Sequence, residues 1–263
     1  MRAVEWTTRL TQSIFPKLHE VLFRGVRLVR PLRQVTASQD PLVSVLVVTD
    51  RPAQLDHVVA SYDAQTTNKE LVLVTNSDHF SISQLERITS RPDVIHIATA
   101  PEVSLGAALN LAVTASSGEV LAKFDDDDHY SDTYLAAAVA VIQRTHAGVV
   151  GKKTYFVYLE ERDETLLVYP GNEGRRVGRV AGGTIVAHRD VFKRVSFPEC
   201  NLGEDVLFVR RAERAGFAVL SAAPTGFLQC RGRTGHTWEF GDEQLVAVGT
   251  SVGRGRDEKL WAR

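Results

Sequence analysis

Apolar and polar positions along this chain fall into two interleaved patterns. Residues 43–48 (VSVLVV) and 70–75 (ELVLVT) are near-continuous β-branched and aliphatic runs. Such runs predict strands buried on both faces of a parallel sheet. Residues 94–98 and 119–124 repeat the pattern in shorter form. Between the strands, Thr49-Asp50-Arg51-Pro52 opens a helix reaching about residue 63. Further helices are predicted over 83–89 and 105–115, the second Ala-rich. This alternation gives βαβ units. The expectation is an α/β fold with a mostly parallel sheet flanked by helices, binding ligands at the carboxyl ends of its strands. A helix over 133–145 follows. Residues 149–159 and 165–169 predict a hairpin around the charged turn 160–164, and 171–178 a polar loop rich in Gly and Arg. A strand over 182–187, a short helix over 188–194 and a helix over 202–215 ended by Gly216 come next. Strands over 217–220 and 227–231 and a polar tail, 241–263, complete the chain.

Residues 1–40 read as an appendage to the main domain, 41–240. Val4, Leu10, Ile14, Leu18, Val21, Leu22, Val26 and Val29 fall near helical spacing, interrupted by Pro16 and ended by Pro31. Basic residues fill the gaps, so residues 1–34 carry a net +5 and the remainder −6, within an overall −1. A basic amphipathic helix can lie on an anionic membrane surface. Packing on the domain, or homodimerisation, is the other reading of the same segment. The near-neutral total gives no overall attraction to nucleic acid. An apolar fraction of 44% over 263 residues suffices for one large domain with a sizeable core. Cys200 and Cys230 make no disulfide framework and match no metal-ligand spacing. No apolar run approaches the roughly 20 residues that span a bilayer, and the first residues do not resemble a secretory signal. The expected location is cytoplasmic, peripheral at the inner face of the membrane.

The chemistry concentrates at VLAKFDDDDHY, residues 120–130. Four adjacent carboxylates, Asp125, Asp126, Asp127 and Asp128, follow an apolar strand. Such like charges are costly to hold together unless a cation neutralises them. Mg²⁺ or Mn²⁺ prefers oxygen ligands and usually arrives with a substrate's phosphates. A solvated acidic turn capping the next helix is the plainer alternative. Three other features join this run. Gly203-Glu204-Asp205 opens an amphipathic helix, where backbone amides favour a carboxylate able to accept a proton from a hydroxyl; simple capping is the competing reading. Gly182-Gly183-Thr184 permits close backbone approach by a ligand, or makes a tight turn. The stretch CRGRTGHTW places Arg231, Arg233, His236 and Trp238 on one Gly-containing loop. Arg suits phosphate, His can ligate Mn²⁺, and the loop can close over a ligand.

VSVLVVTDRP, ELVLVTNSD, LGAALNLAVTASSGEVLAKFDDDDHY, AGGTIVAHRDVF and LGEDVLFVRRAERAG, in this order and spacing, resemble the GT-A glycosyltransferases of family 2. The resemblance covers roughly residues 42–240. It implies a Rossmann-like GT-A fold, with a nucleotide-binding half at about 41–130 and an acceptor half at about 131–240. It also implies inverting transfer of a sugar from a nucleotide diphosphate sugar, UDP-sugar favoured, to a saccharide or lipid-linked acceptor in cell-envelope, polysaccharide or glycoconjugate synthesis. The DxD motif falls on Asp125-Asp126-Asp127. Asp127 and Asp125 would be metal ligands, joined by His236, and Asp125 and Asp126 would also serve the donor ribose and the metal's waters. Thr49, Asp50, Asn76, Lys123, Arg231 and Arg233 would line the donor site. Asp205 would be the base, with Glu204 beside it. Gly182, Gly183, Thr184 and Trp238 would face the acceptor, with Tyr155, Tyr158 and Tyr169 as further rings for stacking on sugars. The pattern departs from the family at Thr75-Asn76, where two acidic residues are common, and at Leu109, where Arg is common. A nucleotidyltransferase would need glycine in the loop after the first strand, and TDRPAQ has none. An inactive nucleotide-binding scaffold of the same fold is the other class to separate.

Overall fold

The computed structural model describes residues 32–232 and 241–262. The strands predicted from continuous apolar runs form the centre of the fold: β1 (Val43–Thr49), β2 (Lys69–Thr75), β3 (Val94–Ala98) and β4 (Val120–Phe124). They are linked by α1 (Leu55–Ala64), α2 (Ile82–Thr89) and α3 (Leu105–Ala115). Ser81 and Ser104 cap α2 and α3 by accepting backbone N–H groups, which is why those helices begin where they do. α4 (Tyr134–Thr145) follows the acidic run across the two-residue β5 (His129–Tyr130).

The remaining strands are β6 (Val149–Gly151), β7 (Tyr155–Leu159), β8 (Glu164–Val168), β9 (Val186–His188), β10 (Val219–Ser221), β11 (Phe227–Arg231) and β12 (Gly249–Arg254). α5 (Arg189–Phe192), α6 (Glu204–Arg214), α7 (Asp242–Val248) and α8 (Glu258–Trp261) complete the set. One sheet runs β10-β6-β9-β4-β1-β2-β3, parallel except that β9 is antiparallel to β4 and β6. A second sheet runs β12-β8-β7-β11-β5. β1 pairs in register with β2 and β4: Thr49 lies opposite Thr75, and β4 ends at Phe124, opposite Val47. The acidic run therefore emerges at the carboxyl edge of the sheet, where open α/β sheets bind ligands.

Four expectations need correction. Residues 149–159 are two strands in different sheets. The chain leaves the large sheet at Lys152, whose N–H donates to Thr184 Oγ1 at 2.9 Å, and re-enters the small one at Tyr155. Gly182–Thr184 is a 3-10 turn, and the strand begins only at Val186. The polar tail carries α7, β12 and α8: β12 pairs along β8 as an edge strand, and Trp261 is buried against Phe156, Tyr158 and Leu228. Edge strands need no apolar run, which hid this one. Finally, residues 32–40 belong to the main unit, which begins at Leu32. Arg33 N–H donates to Gly216 O, and Val35 is buried. The amphipathic pattern before Pro31 lies outside the described residues.

Candidate active site

A cavity of about 710 Å³ opens at the carboxyl edge of the large sheet. Its walls include Thr49, Asp50, Asn76, Lys123, Asp125–Asp128, Gly182, Glu204, Asp205 and Arg231. Most of the sequence-predicted residues thus share one space. Arg233, His236 and Trp238 lie outside the described residues.

The four carboxylates are not equivalent. Asp126 is buried and accepts hydrogen bonds from Thr49 Oγ1 at 2.5 Å and Arg51 Nε at 3.1 Å. Burial raises its pKa, and these partners oppose that rise. Asp128 is buried and accepts the Cys230 N–H at 3.0 Å. Burial, with the charges of Asp125 and Asp127, holds its carboxyl well above the usual range. Asp125 and Asp127 remain one-third and about one-quarter exposed to the cavity. Asp125 pairs with Lys123 Nζ at 2.5 Å, and Asp127 lies 3.0 Å from Arg51. The two open carboxylates alternate along the turn, as the DxD spacing implies.

Lys123 is the charged residue of the otherwise apolar, buried β4. An isolated buried ammonium costs several kcal/mol, so its partners decide whether it is tolerated. Asp125 lies against it and Glu204 Oε1 lies 4.0 Å away. Burial lowers its pKa, but Asp125, Glu204 and Asp205 outweigh burial and raise it. Burial in turn raises the pKa of Glu204, with Lys123 opposing. Lys123 therefore ties the acidic turn to the start of α6. Glu204 is buried on that tie, whereas Asp205 remains partly accessible to the cavity.

The Gly182-Gly183 turn fits between the two carboxylate groups. A methyl placed on Gly183 would sit 2.7 Å from Asp125 Oδ2, 2.9 Å from Asp128 Oδ2 and 3.0 Å from Tyr130 Oη. One placed on Gly182 would sit 2.8 Å from Asp205 Oδ2. The close approach that the paired glycines predicted is made by the protein's own carboxylates. Tyr130 locks the contact: its hydroxyl donates to Gly183 O at 2.9 Å and accepts the Asp125 N–H at 2.8 Å. Gly183→Ala is expected to lower stability by about 1–3 kcal/mol through overpacking, read as a shift in denaturant midpoint. A wild-type midpoint would remove this packing argument. Thr184, expected to face the acceptor, is fully buried. Its hydroxyl donates to Ala181 O at 2.7 Å and accepts the Lys152 N–H, so it holds the turn instead.

At the end of β2, Asn76 Oδ1 is buried in the cavity wall without a hydrogen-bond partner. Such an orphan acceptor is costly unless a ligand satisfies it. Arg51 was read from sequence only as part of the turn ending β1, yet it bridges Asp126 and Asp127. Its position directly after the strand was the available signal. Asn110, beside Leu109 in α3, exchanges hydrogen bonds with the backbone of Phe197 at 2.9 and 3.0 Å. It braces the loop leading to α6. The donor set suits Mg²⁺ or Mn²⁺. Two partly open carboxylates are hard oxygen ligands, and such ions retain waters and ride on phosphates. Among the described residues no three Asp, Glu, His or Cys side chains converge as a ligand cage.

The profile of the family "Glycosyl transferase family 2" matches residues 44–195. No curated protein matches the chain significantly. Solved structures with similar folds include the mannosyltransferase PcManGT of Pyrobaculum calidifontis, in complex with GDP-Man and Mn²⁺. It is 16% identical, with a TM-score of 0.60 over 79% of this chain and 62% of that one. S. aureus TarS residues 1–349, in complex with UDP-GlcNAc, is 20% identical, with a TM-score of 0.60 over 74% of this chain and 60% of that one. The chain thus spans less than two thirds of either structure's length. These likenesses establish a GT-A type of fold. Among the described residues no helix is long and apolar enough to cross a membrane.

Proposed function

Because the chain belongs to glycosyl transferase family 2, we propose that it transfers a sugar from a nucleotide diphosphate sugar to an acceptor hydroxyl, with inversion at the anomeric carbon. The observation that carries this reading is the Gly182-Gly183 turn, which holds the open Asp125 carboxylate on one side and Asp205 on the other. A donor diphosphate on the acidic turn and a hydroxyl at Asp205 would then flank one anomeric carbon.

In this reading Asp205 Oδ2 accepts the hydroxyl proton as that oxygen bonds to the anomeric carbon. The bond from that carbon to the diphosphate oxygen breaks in the same step. Asp127 and Asp125 would hold Mg²⁺ or Mn²⁺, which when bound neutralises charge on the leaving diphosphate. Arg231 lines the same cavity and suits the diphosphate oxygens. Lys123 keeps Asp125 and Glu204 in place. Asn76 Oδ1 can accept an imide N–H, which fits the uracil of a UDP-sugar and would fit thymine equally.

A saccharide or lipid-linked acceptor of the cell envelope belongs to the same proposal, as does membrane contact or self-association through residues 1–31. Liposome co-sedimentation and size-exclusion chromatography with and without those residues separate the last two.

The test is calorimetry against UDP, GDP, CDP and dTDP, with and without Mn²⁺. Tightening of UDP by Mn²⁺ is expected. No binding of any nucleotide in either condition would overturn the reading and leave an inactive scaffold of this fold.

A further inference from the structure

The cavity has a basic wall outside the residues given a donor role above. Lys153 and Arg179 both line it, beside Tyr155 and Tyr169. Burial, and then the charge of Arg179, hold the Lys153 pKa below its usual value, so the two cations act on each other. Lys153 Nζ lies 3.8 Å from the centroid of the Tyr169 ring, a cation–π geometry. Tyr169 has φ of +50°, uncommon for an aromatic residue. Its backbone is held there on both sides. Thr154 Oγ1 and Asn172 Nδ2 donate to its carbonyl at 2.6 and 2.7 Å, and its N–H donates to Val248 O at 3.0 Å. The fold thus fixes an aromatic ring and two like charges on one wall.

This wall is joined to the Gly182-Gly183 turn, which abuts Asp205 through Gly182 and the acidic turn through Gly183. Ala181 N–H donates to Lys152 O at 2.8 Å, which fastens the segment bearing Arg179 to the one bearing Lys153. The next residue, Gly182, abuts Asp205. Thr49, Asp50 and Asn76 instead sit at the ends of β1 and β2. The acidic turn and Asp205 would repel an anionic acceptor unless fixed cations receive its charge. Arg and Lys together suit phosphate or carboxylate oxygens.

Resting on the glycosyltransferase reading above, we propose that the acceptor bears an anionic group, phosphate or carboxylate. This group docks on Lys153 and Arg179 while a hydroxyl of the same molecule reaches Asp205.

The experiment is calorimetry of the full chain saturated with UDP and Mn²⁺, titrated with glucose 6-phosphate, glucuronate and glucose. At least one charged probe is expected to bind about tenfold or more tighter than glucose, and comparing the two tells phosphate from carboxylate. Lys153→Gln/Arg179→Gln should erase the preference with UDP affinity and melting midpoint unchanged, and Lys153→Arg should retain it. Equal binding of all three probes to the wild type would overturn the proposal, as would a double variant that keeps the preference. So would a double variant that loses UDP affinity, because the cations would then serve the donor diphosphate. A wild type that binds no nucleotide would instead sink the underlying reading, and this proposal with it.

Discussion

Asp205→Asn is expected to lower transfer by about 10²–10⁴-fold, the usual contribution of a positioned general base, while nucleotide affinity stays within about twofold of wild type. The reason lies in how α6 begins. Gly203, at φ of +79°, turns the chain into the helix, and Glu204 and Asp205 then occupy its first turn. Glu204 is buried and lies 4.0 Å from Lys123, so it is committed to the interior. Asp205 Oδ1 accepts the Val206 N–H at 2.6 Å, and Oδ2 is the oxygen nearest Gly182 at the cavity wall. Asparagine keeps the shape and the helix contact but cannot accept the hydroxyl proton. Steady-state kinetics beside calorimetry separates the two effects. A variant turning over at near wild-type rate would remove Asp205 from this role, and one that lost nucleotide binding would make it a donor contact.

How much of this was legible in the sequence depended on whether a residue's meaning was local. β1, β2 and β4 were readable because continuous apolar runs leave few alternatives to a buried parallel strand. The acidic run stood out because packing cannot account for four adjacent carboxylates. Its internal division was not readable. Whether Asp126 or Asp127 is buried depends on Thr49 and Arg51, far away in sequence. The glycines at 182 and 183 were noticed, but only packing shows that they accommodate Asp205 and Asp125 rather than a ligand. The basic wall was hidden for the same reason, because Lys153, Tyr169 and Arg179 come from three separate stretches. The change of sheet between Gly151 and Tyr155 is marked in the sequence only by Lys152 and Lys153, too short a polar break to separate two apolar runs that together read as one strand.

Asp127→Asn is expected to abolish the tightening of UDP by Mn²⁺ and to change metal-free binding in the opposite direction. Asp126 is committed to Thr49 and Arg51, and Asp128 to the Cys230 N–H in a buried site, while Asp125, the other open carboxylate, is held by the buried Lys123. Asp127 is partly exposed, and its partner Arg51 is itself about one-third exposed. A partly exposed pair is held less firmly than a buried one, so a divalent cation can compete with the guanidinium for Asp127 while Arg51 keeps Asp126. Neutralising Asp127 takes away one ligand charge from such an ion, yet it also removes repulsion against the diphosphate when no ion is present. Titrations in Mn²⁺ and in EDTA should therefore move apart in the wild type and coincide in the variant, with the EDTA affinity of the variant at or above that of wild type. If Mn²⁺ tightens UDP equally in both proteins, the principal ligand is not Asp127, and Asp125, released from Lys123, becomes the residue to substitute.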